Sequence, residues 1–201
     1  MAQVKKEAVR IKIIKAATEI IEKHSYVGAT IGQIAAAADQ SVANIYNYFP
    51  SKLHLAFAVF EPWIIEQLDR IEAEAAKKQD PRARFIHTLS GLWQEIPRER
   101  NNFFNNFIQA IATATPKDGY TPTVLSNLRE RIRRIVIDCL PLERRLTFDT
   151  WSFAHMAVMT FDGFVINAHL DPSSGCTDQM VNTACDMIFG ETAGSARAGS
   201  A

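Results

Sequence analysis

The stretch TIGQIAAAADQSVANIYNYFPSK, residues 30–52, decides the fold of this 201-residue chain. Thr30 precedes an alanine-rich run and is followed three residues later by Gln33, which is the spacing of a capping box at a helix start. Ser41 can cap a second short run, and Pro50 ends that run because the residue before a proline is pushed out of helical geometry. The stretch therefore predicts two short helices joined by a tight turn at Asp39-Gln40.

Helical periodicity continues over most of the sequence, and no segment shows the sustained alternation of a strand. We expect Pro62 to bend one helix or to break one of its hydrogen bonds, whereas Asp80-Pro81 and Thr121-Pro122 should begin later helices. Gly190 should end the last helix, before a disordered tail of small polar residues, 191–201. The prediction is an all-α fold of nine helices, three in a head and six in a body: 4–24, 31–38, 42–48, 52–78, 81–96, 99–114, 122–140, 146–170 and 176–189.

Composition narrows the class of protein. Hydrophobic residues make up 47% of the chain, which is enough for a buried core. No run of about 18 uncharged apolar residues occurs, so we expect no membrane span, and the charged N-terminal residues do not resemble a secretion signal. Three cysteines without a CxxC pair indicate reduced thiols in a cytoplasmic protein.

The sequence offers no motif for catalysis or metal binding. It contains no HExxH, P-loop or GxSxG, and its five histidines are scattered. We therefore expect no enzyme activity, no catalytic residue, no metal and no cofactor.

The net charge of zero hides an asymmetry, because residues 1–55 carry +3 and the remainder −3. Five of the seven basic residues in this segment lie within residues 5–15. A basic head on an acidic body is typical of a polyanion-binding module, although an ordinary solvated helix face explains the charge equally well.

Two short helices joined by a tight turn form a helix-turn-helix, whose second helix enters the major groove of DNA. Its tyrosines and asparagines supply neutral donors for phosphates and bases, and Lys52 adds a positive charge. Ile45 and Phe49 are expected to face the core instead.

The runs 16–21, 30–35 and 41–52 resemble the tetracycline-repressor (TetR) family, and the resemblance covers roughly residues 11–55. It implies a DNA-binding transcriptional regulator with a DNA-binding domain over 1–55 and a ligand-binding and dimerisation domain over 56–190. We expect a repressor released from its operator by a small molecule, and the sequence leaves activation open as an alternative. Residues that match phosphate contacts of the family are Thr30, Tyr48 and Lys52. The other implied DNA contacts are Ser41, Val42, Ala43, Asn44, Tyr46 and Asn47.

Three positions depart from the family pattern. Asp39 replaces a frequent glycine in the turn, and Asp tolerates left-handed backbone geometry. Val42 replaces a frequent lysine, and Ala43 a frequent glycine, so the recognition helix carries no positive charge. We expect its base contacts to be apolar, together with Asn47 to adenine. The missing charge leaves an alternative open: a helical small-molecule-binding or scaffold protein that has lost specific DNA binding.

The resemblance also implies a homodimer on a near-palindromic operator, built by the last two helices. Apolar residues at helical spacing on those helices allow such an interface, although they could instead face the chain's own core. The candidates are Trp151, Ala154, Val158, Phe161, Val165, Ala168, Met180, Ala184 and Ile188.

Mixed aromatic and polar residues on the body helices are candidates for an effector site, because pockets combine apolar walls with a few polar groups. His155 and Asp162 stand out as polar residues on an otherwise apolar helix. Each candidate could also be an ordinary packing residue, and the effector's identity stays open. The candidates are Trp93, Phe103, Phe104, Phe107, Gln109, His155, Met159 and Asp162.

Overall fold

The computed structural model describes residues 2–99, 101–119 and 123–189. Within these ranges the chain forms ten helices and no strand, which confirms the all-α class. None of these helices combines the length and apolar character needed to cross a bilayer. The helices are α1 (Ala2–Gly28), α2 (Ile31–Ala37), α3 (Val42–Tyr48), α4 (Lys52–Ala76), α5 (81–99), α6 (Asn101–Ala112), α7 (Thr123–Cys139), α8 (Leu142–Arg145), α9 (Thr150–Leu170) and α10 (Asp178–Phe189).

Most of the predicted helices are confirmed, including the start of α5, where the Asp80 carboxylate accepts a hydrogen bond from the Ala83 amide at 2.7 Å. Pro62 lies within α4, and the helix continues through it. Three expectations lie outside the described residues: the helix start at Thr121-Pro122, the helix end at Gly190 and the tail 191–201.

The expected count of nine helices is one too low, because α8 was not predicted. A helix of four residues is too short to show hydrophobic periodicity, and it begins directly after Pro141. The predicted start of the next helix at residue 146 is also wrong. That helix begins at Thr150, because Asp149 caps it by accepting the Ser152 amide at 3.0 Å.

Helix α5 changes its winding along its length. It is α-helical over Pro81–Ser90, π-helical over Gly91–Glu95 and α-helical again over Ile96–Glu99. A π-helical segment inserts one extra residue into a turn, and such segments are rare and often occur at functional sites.

The helices group into two compact units. The first contains α1, α2, α3, α4 as far as Gln67, and α6; the second contains α4 from Leu68, α5, and the helices from Leu125 onward. The expected division at residue 55 concerns function and stays a prediction.

The core of the first unit is aromatic. The Phe60 ring centroid lies 4.5 Å from that of Phe103 and 4.9 Å from that of Phe107. Trp63 contacts Phe104 at 5.0 Å between centroids. These contacts join α6 to the first half of α4 through a layer of packed aromatic rings.

The second unit has its own core around Phe85, whose ring centroid lies 5.6 Å from that of Phe153 and 5.5 Å from that of Phe189. Polar contacts at its edge include the ion pair of Arg82 with Asp186. These contacts join α5 to α9 and α10.

Candidate nucleic-acid interface

The start of α2 has the predicted capping box. The Thr30 hydroxyl accepts the Gln33 amide N–H at 3.2 Å, and the Gln33 side-chain oxygen accepts the Thr30 N–H at 2.8 Å. This reciprocal pair fixes the helix start and leaves Thr30 exposed at its tip. A capped helix start presents its remaining N–H groups outward, where they can meet a phosphate.

The turn between α2 and α3 depends on Asp39. Its backbone φ of 51° lies in the left-handed region, as expected for an Asp in this turn. The Asp39 carboxylate also lies 3.4 Å from the ammonium of Lys12 on α1. The turn is therefore tied to the lysine-bearing first helix by an exposed ion pair.

Helix α3 separates its core residues from its outward ones. Ser41 caps the helix by accepting the Asn44 amide at 3.1 Å, as predicted. Ile45 and Phe49 are buried, which confirms their expected place in the core. The outward side chains, all exposed, are Ser41, Val42, Ala43, Tyr46 and Asn47.

A chain of side-chain amides runs along this outward face. Asn44 donates to the Gln40 side-chain oxygen at 2.6 Å, and Asn47 donates to the Asn44 side-chain oxygen at 3.5 Å. Together with Ala43 these residues line an open polar groove of about 590 Å³ between α2 and α3. Gln40 was not among the predicted site residues, because nothing in its spacing shows that its side chain bends back to Asn44.

Lys52 lies against Tyr26 at the end of α1. Its ammonium donates to the Tyr26 backbone carbonyl and lies 4.2 Å from the Tyr26 ring centroid. Partial burial lowers the pKa of Lys52 below its ordinary value. Tyr48, the predicted phosphate contact at the end of α3, is half-buried.

Helix α3 carries no Lys, Arg, Asp or Glu, so its outward face is neutral. Positive charge comes instead from α1, where Lys5, Lys6 and Lys15 are exposed. The exposed positive charges of this module therefore lie on α1 and not on the outward face of α3.

The candidate ligand residues divide between the two units. In the first unit, Phe103, Phe104 and Phe107 are buried in the aromatic core, and Gln109 is half-buried with its side-chain oxygen unpartnered. Packing against α4 explains the burial of the three phenylalanines, so no ligand is needed to explain it.

The remaining ligand candidates lie in the second unit. Trp93 is buried and donates its ring N–H to the Ala157 carbonyl at 3.0 Å. His155 is exposed and lies 2.8 Å from the guanidinium of Arg129, and Met159 is also exposed. Asp162 is half-buried, and burial raises its pKa to about 6.

The candidate dimer residues differ sharply in exposure. Trp151 and Met180 are 54% and 50% exposed, while Phe161, Ala168 and Ala184 are intermediate. The other four face the chain's own core, with at most 6% exposed: Ala154, Val158, Val165 and Ile188. Sequence periodicity found the apolar positions on these helices but could not distinguish the inward from the outward ones.

Helices α2 and α3 form a helix-turn-helix DNA-binding module. Both helices are short and capped, a left-handed turn joins them, and the second has an outward polar face. Residues 13–59 match the family model of bacterial regulatory proteins of the tetR family. Residues 13–59 therefore resemble the DNA-binding module of TetR-family regulators, and this match supports a transcriptional regulator. The DNA-binding interpretation is thus favoured over a scaffold that has lost this activity.

Solved structures share this fold over nearly the whole chain. A transcriptional regulator from a Rhodococcus species has a TM-score of 0.64 at 20% identity, over 90% of this chain and 93% of that chain. FadR from Bacillus subtilis, solved in complex with stearoyl-CoA, has a TM-score of 0.62 at 16% identity, over 90% and 99%. FadR from Bacillus halodurans, a fatty acid degradation regulator, has a TM-score of 0.60 at 17% identity, over 89% and 93%.

No curated protein sequence matches the chain. At these identities the structural likeness establishes the fold, and the relatives with this fold are transcriptional regulators.

Proposed function

We propose that this chain is a cytoplasmic repressor that binds a near-palindromic operator as a homodimer and is released by a small-molecule effector. The observation that carries the proposal is the capped helix-turn-helix, whose exposed polar face lies within the matched family region. This function uses binding alone and requires no catalytic group, metal or cofactor.

In this proposal, phosphate binding and base reading are performed by different residues. Thr30, Tyr48 and Lys52 contact phosphates, which supply affinity that depends on salt and not on sequence. The outward face of α3 reads the major groove: the Asn47 amide can pair with adenine, and the small apolar side chains of Val42 and Ala43 can contact thymine methyl groups.

The second copy of the chain is proposed to cover the outward faces of α9 and α10. Large apolar side chains stand exposed there, and a wide exposed apolar face on a helix is typical of a protein interface. A dimer would also present two recognition helices, as an operator with two half-sites requires. The exposed apolar residues are Trp151, Met156, Met159, Ile166 and Leu170 on α9, and Met180 and Met187 on α10.

The effector is proposed to be lipophilic, because a regulator that shares this fold, FadR from Bacillus subtilis, was solved in complex with stearoyl-CoA. The stearoyl-CoA held by the Bacillus subtilis regulator makes long-chain acyl-CoA a suitable first probe. Release would follow from a shift in population, since an effector moves the equilibrium only by binding one conformation more tightly than the other.

The test is an electrophoretic mobility shift with DNA from upstream of the chain's own gene, with unrelated duplex as competitor. We expect retardation that survives the competitor and is released by an acyl-CoA or another lipophilic metabolite. A protein that shifts no upstream fragment, or shifts it no better than unrelated duplex, contradicts the repressor proposal. Specific retardation with no release by any metabolite of a broad panel contradicts only the effector.

A further inference from the structure

Asn106 is a buried polar residue on α6, inside the aromatic core of the first unit, with 1% of its surface exposed. Its side-chain oxygen accepts the backbone N–H of Tyr26 at 2.7 Å, and its side-chain NH₂ donates to the Asn102 carbonyl at 3.0 Å. With both ends of the amide bonded, its orientation is fixed. A buried amide that bridges two helices in this way specifies one arrangement of the backbone it holds.

The backbone that Asn106 holds is strained. Ser25, directly before Tyr26, has φ 61° and ψ 166°, a region populated almost only by glycine. This ψ sets the direction of the peptide between Ser25 and Tyr26 and so aims the Tyr26 N–H at Asn106. The carbonyl of this peptide, that of Ser25, accepts the Ala29 N–H at 2.9 Å. The hydrogen bond from the Tyr26 N–H to Asn106 adds to this restraint and opposes the tendency of Ser25 to relax.

Tyr26 also contacts Lys52 and fixes the position of its ammonium. The Tyr26 carbonyl accepts the Lys52 ammonium, and the Tyr26 ring lies beneath it at 4.2 Å from the centroid. An ammonium has three donors, so two remain for another acceptor such as a phosphate. A lysine that is already seated loses less side-chain freedom when it binds than one that moves freely.

We infer that Asn106 is a positioning residue for DNA binding, which acts through Tyr26 to hold the Lys52 ammonium in place for a phosphate. The inference rests on the proposed DNA-binding function. It gives a role to one residue of the asparagine-rich segment at the start of α6, namely Asn106, which is buried while Asn102 is exposed.

The test measures binding to a fluorescein-labelled random-sequence duplex over a series of KCl concentrations. Asn106→Leu keeps the side-chain shape but removes the acceptor, and should weaken binding about tenfold, in the range expected for losing a buried hydrogen-bond partner. Its salt slope should stay unchanged, because Lys52 is still present. Asn106→Asp keeps the acceptor and, as the neutral acid that burial favours, also a donor for the Asn102 carbonyl, so it should bind almost as wild type. Asn102→Leu, the same change one turn away at an exposed position, is the matched control.

A double-mutant cycle separates positioning from a general structural role. If Asn106 acts through Lys52, Asn106→Leu should have no further effect in a Lys52→Ala background. Hydrogen exchange of the Tyr26 amide, followed by NMR, should be slow in the wild type and Asn106→Asp and fast in Asn106→Leu. Asn106→Ser, which is smaller and too short to reach the Tyr26 amide, replaces the leucine variant if that one does not fold.

The inference is overturned if a folded Asn106→Leu or Asn106→Ser binds DNA as tightly as the wild type, or more tightly. It is equally overturned if its loss persists undiminished in the Lys52→Ala background. A wild-type chain that binds no duplex at low salt refutes the proposed function, and the inference with it, whereas wild-type binding with an inert Asn106 refutes the inference alone.

Discussion

Gly91 lies so close to Ile71 that a Cβ atom on the glycine would be 2.7 Å from Ile71 Cγ1 and 2.8 Å from Cδ1. Ile71 is 2% exposed, so its side chain has little space to move away. Gly91 also begins the π-helical segment of α5. This segment contains Trp93, whose ring N–H donates a hydrogen bond to the Ala157 carbonyl. The missing side chain at Gly91 thus lets α5 approach α4 closely.

Gly91→Ala should therefore lower the free energy of unfolding by about 1–3 kcal/mol, the usual cost of an overpacked core. Urea denaturation followed by circular dichroism measures this change. Ile71→Val in the same chain should restore part of the loss, since it removes Cδ1. Gly32→Ala, whose Cβ would meet only the Thr30 hydroxyl at 3.9 Å, should cause no loss. Equal stability of Gly91→Ala and wild type would contradict the packing argument.

Lys52→Ala should weaken binding to every duplex alike. Each lost phosphate contact removes about 0.9 from the slope of log affinity against log salt, so we expect the slope to fall by about one. Binding titrations at several salt concentrations measure the slope. Glu19→Ala, an exposed change of similar size on α1, should leave the slope unlowered.

Asn47→Ala should instead reduce the preference among sequences. Loss of a bidentate amide–adenine contact costs about 1–3 kcal/mol at one base pair and little on random DNA. Selection of bound sequences from a random pool, followed by titration of the preferred site and its single-base variants, measures this preference. A loss that is equal on all sequences, like that of Lys52→Ala, would refute the assignment of base reading to Asn47.

Asp162 should make the folded chain less stable as the pH rises, which is the opposite of the usual effect of a carboxyl group. Burial raises its pKa from 3.8 to about 6, so the folded chain binds this proton more tightly than the unfolded chain. The free energy of unfolding should therefore fall as the pH rises from about 4 to about 6, and the contribution should level off above that.

Urea denaturation at a series of pH values tests this dependence, and Asp162→Asn should remove the fall. Asp149→Asn provides a contrast of opposite sign. Hydrogen bonds from Ser152 lower the pKa of Asp149, so its stabilisation is present at neutral pH and is lost as the pH falls through that lowered pKa. An unchanged pH profile in Asp162→Asn would show that another group is responsible.

Met187→Glu should convert a dimer into a monomer at micromolar concentrations, because it would bury an unpaired charge against the second copy. Analytical ultracentrifugation gives the result directly. Leu146→Glu, at a residue 94% exposed just before α9, introduces the same charge outside the proposed face and should stay dimeric. A wild-type chain that sediments as a monomer would remove the basis of the proposed interface.

The sequence predicted best those features that depend on near neighbours. The caps at Thr30, Ser41 and Asp80 need only a side chain and an amide three residues on, so spacing reveals them. The left-handed turn at Asp39 follows from the same local chemistry. These features determine the helix-turn-helix, which is why its geometry agrees with the expectation.

Features that depend on distant neighbours were not predictable in this way. Asn106 and Tyr26 are 80 residues apart, and no local pattern links an amide on α6 to a strained peptide at the end of α1. Helix α9 has apolar residues on both its inward and outward sides, so periodicity alone could not separate Val158 from Met159. The π-helical segment was not predicted either, because its extra residue shifts the helical period of the apolar positions.

The three cysteines offer a practical opportunity. Cys139, Cys176 and Cys185 are all unpaired and buried, and burial raises the pKa of Cys139 and of Cys176 to about 11 and that of Cys185 above its ordinary value. Almost none of these thiols is ionised at neutral pH, and the thiolate is the reactive form. A single cysteine introduced on the outward face of α3 would therefore react alone with a maleimide dye. The movement of the recognition helix on DNA can thus be followed by fluorescence in the otherwise native chain.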